Sequence, residues 1–222
     1  GDIFHPSLMG AASIKEEGLM VNGKVEQVHD QVIGLRPVYT DRGNATELWL
    51  ASGEILLDRR GVKSVVTALA RSYALDLKAQ RKQLGQLLNR SMILPFYLGQ
   101  RVFVPLKMRK ALAGNDMVYG YFDGEYIEDI QGGKFRECRV LLKTGDELEC
   151  FSSQTTAQKS LHLGLNLQKA LEGNDDDDRD EQQVMEAVRA LYRSFREILL
   201  RLQSIEGYIA EAESIYQHEK GP

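Results

Sequence analysis

The chain has 222 residues, 43% of them hydrophobic, with only two Cys. This is enough for a proper core and leaves no room for a disulfide framework or a Cys-rich metal site. No run approaches the ~18 uninterrupted apolar residues that span a bilayer, and the opening GDIFHPSLMG lacks the basic-then-apolar layout of a secretory signal, so a cytoplasmic protein with no membrane role is expected. The net charge of −4 is uneven: residues 56–110 hold 12 Lys or Arg against 2 acidic side chains, and residues 172–222 hold 6 against 13. Such a dipolar chain has a polyanion as its leading candidate partner.

In chain order, residues 1–22 are expected to be an N-terminal segment, disordered in part. An α+β core domain follows over 23–171, β-rich and mixed, with a basic amphipathic helix. Gln31 to Tyr39 and Thr46 to Ala51 read as strands, with a turn at 41–44 and a hairpin around Ser52-Gly53. Asn44-Ala45-Thr46 matches a glycosylation sequon, which means little without a secretory signal.

From Val62 to Leu88 the apolar residues recur at helical spacing. Val62, Val65, Val66, Leu69, Tyr73, Leu77, Leu84, Leu87 and Leu88 share one side, and Arg60, Arg71, Lys78 and Lys82 the other, with Lys63 and Arg81 at its flank. Asp76 and Gln80 interrupt the apolar stripe and predict a kink or a break into two helices. A helix-turn-helix fits poorly, because an Ala70/Ala74 pairing puts polar Gln80 where that motif wants an apolar residue.

Next, ILPFYLGQRVFVPL predicts a hairpin about Gly99-Gln100, with Gly first as a type II′ turn prefers. VYGYFDGEYIEDI predicts another about Asp123-Gly124. Pro95 and Pro105 suit edge or terminal strand positions. In FRECRVLLKTGDELECF a three-residue loop Lys143-Thr144-Gly145 would set Cys138 opposite Cys150, on one face with Val140, Leu142 and Leu148. They read as two small buried hydrophobes rather than a redox pair.

A helix from about Thr155 to Leu171 carries Leu161, Leu165 and Leu167, with His162 at or near its surface. The acidic stretch 172–181 reads as a solvated linker. Beyond it Val184, Val188, Leu191, Phe195, Ile198, Leu202, Ile205, Ile209, Ala212 and Tyr216 advance in steps of four and three. That heptad predicts a coiled-coil helix over 182–218, in which Val188, Leu191, Phe195, Ile198, Leu202, Ile205 and Ile209 would oligomerise the chain.

Enzyme signals are weak. There is no Walker loop, GxGxxG, HExxH, CxxC or GxSxG, and the four histidines lack ligand spacing. A non-enzyme with no cofactor and no metal is expected. The chemistry lies in cations that neutralise phosphates: Arg59, Arg60, Lys63, Arg71, Lys78, Arg81 and Lys82 on the helix, and Arg101, Lys107, Arg109 and Lys110 at the hairpin exit. That exit, PLKMRKALAGND, reads as a flexible arm suited to a DNA groove.

The order ILLDRR, a helix holding Ser72-Tyr73-Ala74, MILPFYLGQRVFVPL, Gly120-Tyr121 before a strand, and a hairpin turning at Gly145 before Ser152-Ser153 and a helix resembles the competence transcription factor ComK family over about residues 50–170. The resemblance implies a bacterial regulator that binds AT-rich DNA through the minor groove and works as an oligomer. It does not extend to the C-terminal heptads, and no individual DNA-contacting residue is carried over from it. The expected function is thus DNA-binding transcription regulation by a homodimer. The rival is a non-enzymatic adaptor, from a phage or its host, docking on a protein partner through the coiled coil.

Overall fold

A computed structural model of the chain describes residues 21–88, 93–114, 116–133 and 137–172. The acidic linker beyond Glu172 and the heptad helix expected over 182–218 lie outside the described residues, as do residues 1–20.

The protein is α+β, built on two antiparallel sheets. Strands β1 (Val32–Thr40), β2 (Gly43–Leu50), β3 (Ile55–Asp58), β4 (Phe96–Leu98), β5 (Arg101–Lys107) and β6 (Tyr119–Asp123) form a six-stranded sheet in the order β3-β2-β1-β6-β5-β4. Strands β7 (Ile127–Gly132), β8 (Cys138–Leu142) and β9 (Glu147–Cys150) form the second sheet. The helices are α1 (Val62–Ser72), α2 (Leu77–Leu88) and α3 (Gln154–Glu172).

Strand alternation divides the core into layers. Leu48, Phe103 and Tyr121 on one face of the large sheet meet Val62, Val65, Val66 and Leu69 of α1. Their neighbours Trp49, Val104 and Phe122 point the other way, into a cluster with Val140, Leu142 and Leu148 of the small sheet and Ala157 of α3. A third cluster joins Leu84 and Leu88 of α2 to Val102 and to Leu167 of α3. Helix α3 lies close on β5, where a Cβ added at Gly164 would fall 2.1 Å from Val104 Cγ1.

The break expected near Asp76 is present, and its cause is capping. Leu75 N donates to Ala70 O at 2.9 Å while Ala74 turns left-handed at φ 53°. Asp76 Oδ1 then accepts from the amides of Lys78 and Ala79 at 2.9 and 3.0 Å, starting α2. The hairpin about Gly99-Gln100 also forms, with Gly99 at φ 59° as the primed turn requires. In the Cys hairpin, Leu142 N bonds Asp146 O across the loop 143–145, and Cys138 pairs with Cys150.

Three expectations are corrected, and Gln80 finds a place in the core. Asp123-Gly124 is no hairpin: Asp123 accepts from Glu125 N, a 3-10 turn Gly124–Tyr126 follows, and the chain crosses from one sheet to the other. Tyr73 leaves the apolar stripe and is 36% exposed, its hydroxyl donating to His29 O. Pro105 lies in an interior strand, but the short β4 has ended opposite it and its carbonyl accepts from Ser160 of α3. Gln80 is 3% exposed in the core, where its amide bonds both the N–H and the C=O of Tyr97 at 3.0 Å. A four-residue turn, 73–76, joins the two helices that the break at Asp76 predicts.

Candidate nucleic-acid interface

The cations named from the sequence separate into two groups once their partners are known. Arg59 and Arg60 precede α1 rather than lying on it. Arg60 is locked: it binds buried Asp58 at 2.6 Å and grips Glu26 with both terminal nitrogens at 2.7 Å. That grip holds the Glu26 carboxyl down at about 2. Arg59 is exposed and donates to Asn22.

Arg101 is locked as well. Its Nε meets the buried Asp123 carboxylate at 2.8 Å, and its other nitrogens reach the carbonyls of Val32 and Asp30. Burial pushes the Asp123 carboxyl up, and the Arg101 guanidinium and the Glu125 amide pull it back.

The exit loop is not the flexible arm expected of it. Asp116 Oδ2 gathers Leu112 N, Ala113 N and the Tyr39 hydroxyl, while Asn44 approaches the other oxygen. These hydrogen bonds, led by that of Tyr39, hold the Asp116 carboxyl down at about 2. Arg109 is only 8% exposed, stacked 3.8 Å above the Tyr39 ring and bonded to Asn44 Oδ1 and Met117 O. Lys110 pairs with Glu137 at 2.9 Å over the Phe151 ring, and Lys107 is half-buried at the end of β5. Arg60, Arg101 and Arg109 thus serve the frame, and a cation so engaged has little left for a phosphate.

The second group is Lys63, Arg71, Lys78, Arg81 and Lys82. Among the described residues none of the five forms an ion pair. Lys63, Arg71, Lys78 and Lys82 are exposed, and Arg81 is half-buried beside the Tyr121 hydroxyl. Lys78 and Lys82 share one face of α2 through their four-residue spacing. Lys63 and Arg71 line an open groove along the outer face of α1, together with Ser64, Thr67, Ser72 and the Arg60–Glu26 pair. A second groove, between the helix pair and residues 116–121, draws on Lys63, Arg81 and Lys82. Lys63 belongs to both.

The hydroxyl residues beside the α1 cations were not singled out from sequence, although Ser64 and Thr67, three apart next to Lys63, carry the helical spacing that would have found them. Thr67 and Ser72 donate to the carbonyls of Lys63 and Ala68. That leaves Ser64 as the hydroxyl on this face whose donor has no partner among the described residues.

The cysteine pair offers no second centre. Alternating from the Leu142–Asp146 bond, Cys138 and Cys150 fall at a hydrogen-bonded pair of the hairpin, and both are buried free thiols. Burial, then its neighbour Cys150, pushes the Cys138 thiol up to about 12, so it stays protonated. Among the described residues no group of three or more His, Cys, Asp and Glu is placed to hold a metal ion, and no helix is long and apolar enough to cross a membrane. Compared with protein-family models, with curated proteins and with solved structures, the chain matches none of them.

Proposed function

We propose that this protein binds duplex DNA through the outer faces of α1 and α2 and acts in transcriptional control. The observation that carries the reading is the set Lys63, Arg71, Lys78, Arg81 and Lys82, gathered on two consecutive helices without an acidic partner among the described residues. Cations left unpaired neutralise phosphates and release counterions on binding, and adjoining hydroxyls add phosphate hydrogen bonds. Ser64 is placed to donate one. The ComK-like order of motifs points the same way and carries the expectation of AT-rich sites, whose narrow minor groove attracts Arg. The heptads of 182–218, outside the described residues, would make the homodimer that doubles this surface, in the cytoplasm of a bacterium.

The test is a gel shift of the full chain on AT-rich and GC-rich duplexes, with Arg71→Glu, Lys78→Glu and Lys82→Glu combined. The expected result is duplex binding that the triple reversal abolishes and that favours the AT-rich duplex. Unchanged binding by the reversal would remove the helical face from the account. Failure of the parent chain to bind either duplex, with retained affinity for an acidic protein surface, would restore the adaptor reading.

A further inference from the structure

The groove between the helix pair and residues 116–121 has a chemistry of its own. Its volume is about 760 Å³, inside the range of small-molecule sites. Val66 of α1, Leu94 and Met117 give it apolar walls, and Tyr121, 5% exposed, closes one side. Met117, 41% exposed, and Ile93, 43% exposed, offer apolar surface to an entering molecule, while Val66 and Leu94 are themselves buried. Arg81 is held half-buried beside the Tyr121 hydroxyl, with Lys63 and Lys82 exposed alongside.

Among the described residues the acid in the lining is Asp116, and its oxygens are already engaged by Tyr39, Asn44 and the amides of Leu112 and Ala113. It forms no ion pair with the three cations. The groove therefore combines apolar walls with three cations in its lining. Hydrated phosphates of a duplex suit the exposed lysines and the outer face of α1 but gain nothing from Val66, Leu94 and Met117. A neutral apolar molecule would bury the Arg81 guanidinium further without giving it a counter-charge.

We infer that this groove is a binding site for a small amphipathic monoanion, an acyl or aryl carboxylate, whose head meets Arg81 and Lys82 and whose apolar body lies along Val66, Leu94 and Met117. A carboxylate matches the guanidinium fork. The site does not depend on the nucleic-acid reading, and failure to bind DNA would leave it standing.

The test is titration of the full chain, carrying ¹³C-methyl methionine, with octanoate, octanol and acetate. Octanoate is expected to shift the Met117 methyl resonance saturably while that of Met108, which is 1% exposed, stays in place. Octanol, which lacks the charge, should bind at least tenfold more weakly, and acetate, which lacks the body, should give no saturable shift. Lys63→Gln with Lys82→Gln, at exposed positions that do not threaten folding, should weaken octanoate at least threefold, and Arg81→Gln at least tenfold. Octanol binding as well as octanoate, absence of a saturable Met117 shift, or an octanoate affinity unmoved by the double lysine variant would each overturn the inference.

Discussion

Arg101 shows why a list of cations is not yet a site. In the sequence it stands with Lys107, Arg109 and Lys110 in a basic run, and charge alone gives all four the same standing. Its partner Asp123 lies 22 residues further on, brought near by the β5–β6 pairing. Asp123 is the buried member of the pair, and removing its partner leaves that carboxylate uncompensated, at about 3–5 kcal/mol. Arg101→Met should therefore lose that order of stability in urea denaturation, whereas Arg71→Gln or Lys82→Gln should stay within about 0.5 kcal/mol of the parent. The Arg101→Met loss should be larger at pH 8 than at pH 5, because protonation relieves an orphaned Asp123; an equal loss at both would mean that Asp123 is not the group left exposed to burial. Glu26 works with the opposite sign. Its folded pKa of about 2 lies below the ordinary 4.5, so its contribution is complete above about 4.5 and is lost as pH falls toward 2. Urea midpoints measured across that window should fall in the parent chain and fall less in Glu26→Gln.

Among the elements, those that sequence reading located well are those whose signals are local. The loop 143–145, the primed turn at Gly99 and the helix break at Asp76 each depend on a few adjacent residues, and each formed where it was expected. Asp123-Gly124 failed because the same dipeptide serves a hairpin or a capped 3-10 turn, and the choice was made by the distant Arg101 and by the second sheet. The exit loop failed likewise: its staple joins Asp116 to Tyr39, 77 residues away, and no local spacing reports that. Two predictions belong at this scale. Ala74 holds φ 53°, so Ala74→Gly should raise stability by about 0.5–1 kcal/mol in thermal or urea unfolding. A loss would mean that the turn between α1 and α2 is not left-handed. Cys138 and Cys150 should resist iodoacetamide at pH 8 in the native chain and react once it is denatured. Rapid labelling of the folded protein would show that the β8–β9 hairpin opens readily.

At the scale of the molecule, the charge bias of residues 56–110 was plain in the sequence, and so was the division of the α1–α2 text into an apolar and a basic side. What the fold adds is the sorting of that charge. Arg60, Arg101 and Arg109 are spent on Asp58, Glu26, Asp123, Asn44 and the Tyr39 ring, which leaves a helical face whose cations form no ion pair among the described residues. Its meaning can be read from salt dependence. Each phosphate neutralised steepens the fall of log affinity with log salt by about 0.9, so the number of cations engaged is a measurable slope. The most direct test is that slope for the full chain on one AT-rich duplex, compared with the chain carrying Lys78→Gln and Lys82→Gln. The account predicts steep salt dependence in the parent and a slope shallower by about 2 in the double variant; identical slopes, or an affinity indifferent to salt, would contradict it.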